Sequence, residues 1–195
     1  MPLPNRVDPF GDLHAVPERG RFTGNRGCLV DDAGRFVRHH RGTLWITCRT
    51  AFRGRRVGLT RPRRWTPLFF LDDAVALAAG HRPCGECRHA DHVAYREAVA
   101  AATGTPVRAG DLNRLLAAER GRRPGRDTWV GADLPDGTVV LTDGPRLVLG
   151  ARLLAFSFGG WRDPVPRPAG ALTVLTPPTS VAALRYGFAP DIDYG

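Results

Sequence analysis

Residues 69–88 carry the strongest structural signal in the chain, and they read Phe69-Phe-Leu-Asp-Asp-Ala-Val-Ala-Leu-Ala-Ala-Gly-His-Arg-Pro-Cys-Gly-Glu-Cys-Arg88. The apolar residues 68–71 predict a short strand. Asp72 fits the N-cap of an alanine-rich helix through Ala79, and Gly80 supplies its C-terminal stop. A Cys-x-x-Cys pair follows directly. This stretch therefore predicts a strand and a helix that lead into two closely spaced thiols.

The spacing of Cys84 and Cys87 lets both sulfurs bind one tetrahedral metal ion at about 2.3 Å per bond. The chain has two further cysteines, Cys28 and Cys48. A redox function for the pair would need a thioredoxin-like alternation of strand and helix, and the sequence does not alternate in that way. The pattern favours metal binding, with redox chemistry and unliganded thiols as the open alternatives.

This region resembles the end of the metal-binding domain of the Ada DNA-repair proteins. In that family a strand ending in Phe-Phe and an alanine-rich helix precede Ala-Gly-aromatic-Arg-Pro-Cys-x-x-Cys-Arg. The upstream stretch Leu44-Trp-Ile-Thr-Cys-Arg49 is similar to the family's strand that ends in a Cys-Arg step. The resemblance covers roughly residues 40–90, under a third of the chain.

The resemblance implies one zinc ion held by four cysteines, the first of which accepts a methyl group from a DNA methylphosphotriester. The paired ligands correspond to Cys84 and Cys87, and the methyl acceptor corresponds to Cys48. The family's remaining ligand would lie four residues after Cys48, where this chain has Phe52. Either another residue supplies the fourth ligand or the site has lost its metal.

Two residues are the main candidates for the fourth ligand. Cys28 lies in a glycine-rich turn that can approach a site closely, although a free buried cysteine fits the same pattern. His81 precedes Cys84 by three residues and replaces an aromatic residue of the family pattern. We expect the ligands to be Cys48, Cys84, Cys87 and Cys28, with His81 as the alternative to Cys28.

The charge of the chain points to a polyanionic partner. Its formal net charge is +9, and all 28 basic residues are arginine, which binds phosphate well in a bidentate manner. One sixteen-residue stretch holds seven arginines and no acidic residue: Arg49, Arg53, Arg55, Arg56, Arg61, Arg63 and Arg64. Trp65 follows and is suited to stack on a base. We expect these residues to bind nucleic acid, while a solvated loop remains the alternative.

The chain divides into three parts by composition. Residues 1–20 are proline-rich and predict an extended arm. Residues 21–105 form the Ada-like zinc-binding region. Residues 106–195 begin with a helix capped by Asp111 and continue with four strand candidates (138–141, 147–149, 153–158 and 172–175) and a final helix from residue 179 or 180 to Gly187. We predict an α+β fold in which a zinc-centred part of short strands and helices precedes a small antiparallel sheet.

Several functional classes find no support. No apolar run reaches the roughly 18 residues of a membrane span, and no apolar signal segment opens the chain, so we expect a cytoplasmic location. Common hydrolase, kinase and dinucleotide motifs are missing. Zinc deaminases need His-x-Glu upstream of Pro-Cys-x-x-Cys, and the chain has no His-x-Glu.

The sequence therefore predicts a zinc-binding protein that binds nucleic acid, with repair of alkylated DNA as its context and Cys48 as the reactive residue. Two alternatives stay open. The first is an enzyme of unknown reaction with a purely structural zinc site. The second is a metal-free interaction module.

Overall fold

The computed structural model describes residues 2–56, 58, 65–120 and 127–194. These residues form four α-helices, two six-stranded β-sheets and a two-stranded hairpin. The predicted α+β class is confirmed. Within the described ranges, no helix combines the length and apolar character needed to cross a membrane.

The N-terminal half builds a mixed sheet in the order β2-β1-β7-β3-β4-β8, and the short hairpin β5-β6 lies outside it. The strands in chain order are β1 (Arg6–Val7), β2 (Leu13–His14), β3 (Phe22–Asn25), β4 (Ile46–Arg49), β5 (Ala51–Phe52), β6 (Arg55–Arg56), β7 (Leu68–Phe70) and β8 (Arg82–Pro83). The segment predicted as an extended arm supplies β1 and β2. β1 pairs in parallel with β7, so this segment is a structural part of the sheet.

The four helices are α1 (Asp73–Ala78), α2 (His89–Thr103), α3 (Ala109–Arg120) and α4 (Pro178–Arg185). The predicted boundaries of α1 are confirmed, because Asp72 Oδ1 accepts a hydrogen bond from the Val75 amide at 3.0 Å and Gly80 has φ +79°. The predicted cap of α3 is wrong. Asp111 lies in the first turn, and its carboxylate accepts a hydrogen bond from the Arg108 amide at 2.9 Å.

The C-terminal half builds an antiparallel sheet in the order β13-β12-β11-β10-β14-β9. Its strands are β9 (Asp127–Val130), β10 (Val139–Leu141), β11 (Pro145–Leu149), β12 (Arg152–Ser157), β13 (Gly160–Pro166) and β14 (Ala171–Val174), with a 3₁₀ turn at Gly131–Asp133. The sequence predicts the four inner strands and misses β9 and β13. Both are edge strands, and β13 contains two prolines and a mostly exposed run.

The two halves share one hydrophobic cluster. Val7, Leu68, Phe70 and helix α1 pack there together with apolar residues of the C-terminal half. The partners from that half are Val139, Leu147, Trp161, Leu175 and Ile192. A buried polar contact reinforces this packing, because Trp161 Nε1 donates to Asp72 Oδ2 at 2.6 Å. Helix α1, which precedes the cysteine pair, therefore packs against residues of both the N-terminal and the C-terminal half.

Candidate metal centre

Three cysteines converge where β4 meets β8. Cys48 lies on β4, Cys84 follows β8, and Cys87 precedes α2. The two strands are parallel, and the Cys84 amide donates to the Thr47 carbonyl at 2.9 Å, which brings Cys84 beside Cys48. The three sulfurs all lie within 4.8 Å of one another. Sulfurs bound to one zinc ion at about 2.3 Å are about 4 Å apart, so these side chains could hold a metal ion.

Backbone amides surround two of the three sulfurs. The Glu86 amide is 3.4 Å from Cys84 Sγ, and the Cys87 amide also donates to that sulfur. The Arg49 amide donates to Cys87 Sγ. Amide donors of this kind stabilise thiolates and orient metal ligands. Cys48 instead forms hydrogen bonds with the other two cysteines, and its thiol donates to Cys84 Sγ.

The three thiols change one another's pKa values. A hydrogen bond to Cys84, together with burial, raises the pKa of Cys48 far above its ordinary value. The same hydrogen bond lowers the pKa of Cys84 to about 5. Burial raises the pKa of Cys87. These opposite shifts make Cys84 the first of the three thiols to lose its proton, and a metal would displace the thiol protons that remain.

Arg88 ties the cysteine pair to the rest of the fold. Its buried guanidinium forms a bidentate ion pair with Asp73 of α1, at 2.5 and 2.7 Å, and a further ion pair with Asp91 of α2. It donates to Thr47 Oγ1 on β4 at 3.1 Å and lies over the Phe22 ring. This residue fixes both helices and the Cys48 strand around the cluster.

The structure does not bring Cys28 to this cluster. Cys28 is half-buried, and its thiol lies 3.5 Å from the Val30 carbonyl oxygen. The group of mutually close ligand atoms found among the described residues contains only Cys48, Cys84 and Cys87. The sequence therefore identified three members of the cluster, and its first candidate for a fourth ligand lies elsewhere.

His81 lies outside the cluster as well. It is fully buried, with its ring centroid 4.6 Å from that of Phe70 and 5.1 Å from that of Trp45. Arg26 Nε donates to His81 Nε2 at 3.3 Å. Burial and the nearby Arg26 charge lower the pKa of His81 well below its ordinary value, so the ring is a neutral core residue.

The basic stretch is described in part. Arg49, at the end of β4, is exposed. Arg53 and Arg56 are exposed on the β5-β6 hairpin, which begins three residues after Cys48. Trp65 is half-buried. The backbone of Arg55 belongs to β6. The remaining predicted contacts, the Arg55 side chain and Arg61, Arg63 and Arg64, lie outside the described residues.

Sequence reasoning assigned no role to Arg88 or to Asp73, although both are central to the geometry of the cluster. The available signal was an arginine directly after the cysteine pair, fifteen residues from an acidic residue at the start of α1. A charged residue between a ligand and a helix needs a partner if it is buried. That requirement could have linked the two residues before the fold was known.

Comparison of the chain with models of protein families, with curated proteins and with solved structures gave no match. The resemblance to the Ada metal-binding domain thus rests on the residues quoted above and remains a prediction.

Proposed function

We propose that the protein is a zinc-binding protein that binds nucleic acid through the arginines beside its thiol cluster. The observation that supports this most strongly is the convergence of Cys48, Cys84 and Cys87, because Cys48 directly precedes a segment with three exposed arginines, Arg49, Arg53 and Arg56. Both features lie within the stretch that resembles the Ada metal-binding domain.

The donor set fits zinc. Soft thiolate ligands favour zinc over magnesium, calcium and manganese, which prefer oxygen. Cys48, Cys84 and Cys87 would hold the ion, and it would keep their sulfurs deprotonated at neutral pH. Three protein ligands leave one coordination position for water or another donor, an arrangement that proteins use in reactive zinc sites.

The exposed arginines suit a phosphate backbone. Arg49 is on the same strand as Cys48, and Arg53 lies at the tip of the hairpin with φ +49°, next to Gly54. The segment 49–56 contains no acidic residue that would compete for these guanidinium groups. Arginine binds phosphate oxygens with charge-assisted hydrogen bonds.

A binding titration tests this proposal. With three arginines on phosphates, log affinity for duplex DNA should fall with log salt at a slope of about −3. Replacing Arg49, Arg53 and Arg56 by alanine should weaken binding to all sequences alike and flatten that slope. Replacing Arg114, Arg152 and Arg185, which are also exposed, removes the same charge elsewhere and serves as the control. Equal loss in both variants would reduce the effect to net charge and overturn the proposal.

A second function, transfer of an alkyl group to Cys48, is favoured by the uneven hydrogen bonding of the sulfurs. Backbone amides donate to Cys84 and Cys87, whereas Cys48 forms its hydrogen bonds with these two cysteines and donates to Cys84. With a metal bound in place of the thiol protons, Cys48 would be the thiolate with the fewest amide donors and the least stabilised charge. Its sulfur would attack the methyl carbon of a methylphosphotriester. The S–C bond forms as the C–O bond breaks, and the electron pair stays on the phosphodiester oxygen.

Mass spectrometry after incubation with methylphosphotriester DNA tests this second function. We expect the mass of one methyl group on Cys48 and no gain in the Cys48→Ser variant. No mass gain, or methylation distributed over several cysteines, would leave the cluster with a structural role.

A further inference from the structure

A cavity of about 700 Å³ lies beside the chain that follows Cys48. It is lined by parts of segments 2–6 and 16–20, by Thr50, Ala51 and Arg56, and by Phe69 of β7. Sites for small ligands typically enclose about 300–1,000 Å³. The cavity is thus large enough for a molecule of the size of a nucleotide.

The cavity shares a sheet face with the thiol cluster. Arg6 pairs with Phe69, Phe69 with Thr23, and Thr23 with Cys48 across four neighbouring strands. Residues paired in this way point to the same side of a sheet. Phe69 and Cys48 are two strand spacings apart, about 10 Å. A ligand in the cavity would therefore lie close to Cys48.

Arg6 supplies a buried positive charge to this cavity. The residue is 2% exposed. Its guanidinium donates to the Glu18 and Phe158 carbonyl oxygens, and its Nε has no acceptor among the described residues. Burial lowers the pKa of Arg6, and the charge of Glu18 opposes this only in part. A buried cation whose donors are not all satisfied favours an anion beside it.

The net charge of the described cavity lining is positive. Arg19 and Arg56 are exposed members of the lining; together with Arg6 they give three positive charges against one negative charge, that of Glu18, among the described residues. Asn5 and Thr50 add neutral polar groups that can bond ligand oxygens. The polar part of a fitting ligand is therefore anionic, and phosphate suits several arginines best.

The rest of the lining is apolar. Leu3, Val16 and Phe69 contribute side chains, and Phe69 is the aromatic residue in the described part of the lining. Aromatic side chains bind the faces of nucleobases with little regard to their identity. An anion with an attached planar ring matches both parts of the cavity.

We propose that this cavity binds one nucleotide of a single nucleic-acid strand, with the phosphate held by the exposed Arg19 and Arg56 near the buried charge of Arg6 and with the base against Phe69. This rests on the nucleic-acid binding proposed above and gives one nucleotide a defined position beside Cys48. Because a free nucleoside monophosphate offers the same chemistry, the test includes it as a separate ligand.

The experiment measures the affinity of a fluorescent single-stranded oligonucleotide and of thymidine monophosphate for the full chain. We expect Phe69→Ala to weaken oligonucleotide binding about tenfold, the usual loss for one stacked base. Arg19→Ala, at an exposed position, should weaken it several-fold and reduce the salt slope by roughly 0.7. Arg152→Ala removes an exposed arginine of the other sheet and should change the affinity less than twofold.

The outcomes separate this inference from the proposed function. If oligonucleotide binding depends on Arg49 and Arg53 but is unchanged in both Arg19→Ala and Phe69→Ala, the nucleotide site is overturned and the function stands. If the oligonucleotide does not bind but thymidine monophosphate binds and loses affinity in Arg19→Ala, the strand-bound nucleotide is overturned and the cavity is a site for free nucleotides, while the duplex titration described above decides the proposed function. If neither ligand binds, the nucleotide site is overturned, and the duplex titration still decides the proposed function.

Discussion

Cys84 has a central position among the thiols, since its sulfur accepts hydrogen bonds from Cys48 and from the Glu86 amide. We expect native protein to contain about one zinc ion per chain, and Cys84→Ser to lose nearly all of it because two thiolates bind zinc much more weakly than three. Elemental analysis after gel filtration measures this directly.

Cys28→Ser is the matched control for that experiment. Because the Cys28 thiol lies against the Val30 carbonyl and outside the cluster, this variant should keep its zinc. Zinc loss in Cys28→Ser equal to that in Cys84→Ser would contradict the arrangement described here and would restore Cys28 as the fourth ligand.

Asp72 carries a second prediction at the scale of single residues. Burial raises its pKa to about 6, against the opposing effect of hydrogen bonds from Val75, Trp161 and Asp193. The folded state therefore binds more protons than the unfolded state between about pH 4 and pH 6. This contribution to stability is complete below about pH 4 and is lost as pH rises through about 6, by up to about 3 kcal/mol.

Urea unfolding of wild type and Asp72→Asn over this pH range tests the sign. The amide does not titrate, so the stability advantage of the wild type over Asp72→Asn should shrink as pH rises, and taking the difference at each pH cancels other titrating groups. Asp72→Asn should also be less stable at pH 5 by about 2 kcal/mol, because its NH₂ group faces a backbone or indole donor. A difference that is constant with pH would show that the Asp72 pKa is not raised.

At single residues, the sequence could predict chemistry but not proximity. Cys84 and Cys87 are close in the chain, so their shared role followed from spacing. Cys48 was placed with them through the resemblance. Cys28 could not be excluded, because its distance from the cluster depends on how the loop between β3 and β4 folds, and no local pattern fixes that loop.

Strand β3 decides whether the elements of the first sheet can assemble. It lies between β4 and β7, and a Cβ on Gly24 would lie 2.2 Å from the Ile46 carbonyl oxygen and 2.9 Å from the Phe70 ring. We expect Gly24→Ala to separate β3 from β4 and to lower the free energy of unfolding by about 2 kcal/mol or more. Since β4 carries Cys48, zinc affinity should fall as well.

Gly144→Ala is the control for this prediction, since a Cβ there meets no atom within 4 Å. Its stability should change by less than about 0.5 kcal/mol. Chemical denaturation of the two variants makes the comparison. Equal stability of Gly24→Ala and wild type would mean that the packing of β3 against β4 is looser than the structure describes.

Elements with strong local signals were predicted well, and those defined by tertiary contacts were not. The cap at Asp72 and the glycine stop of α1 are encoded within nine residues. By contrast, β1 is only two residues long and exists because it pairs with β7. The C-terminal residues 191–193 carry no local structural signal either, yet the amides of Asp191 and Asp193 donate to Asp73 and Asp72 at 3.0 and 3.1 Å.

The molecule as a whole couples the thiol cluster to the C-terminal sheet. Arg88, beside Cys87, is paired with Asp73. The carboxylate of Asp73 also accepts a hydrogen bond from the Asp191 amide. The carboxylate of neighbouring Asp72 accepts one from the Trp161 indole of β13. The shared hydrophobic cluster also joins α1 to the C-terminal half. If the zinc-binding region and the C-terminal region were independent, loss of metal would loosen the N-terminal half only.

These contacts lead to a different expectation for metal removal. Because the structures on both sides of α1 share one core, chelation of zinc should destabilise both sheets together, by about 4 kcal/mol if zinc is present at about a thousand times its dissociation constant. Amide hydrogen exchange measures the loss of stability separately for β3–β4 and for β10–β12. We expect the slowest amides of both sheets to exchange faster by a similar factor after chelation, since both then exchange through the same global unfolding. Faster exchange confined to the first sheet would mean that the halves unfold independently, and the Arg88–Asp73 contact would then serve only the thiol cluster.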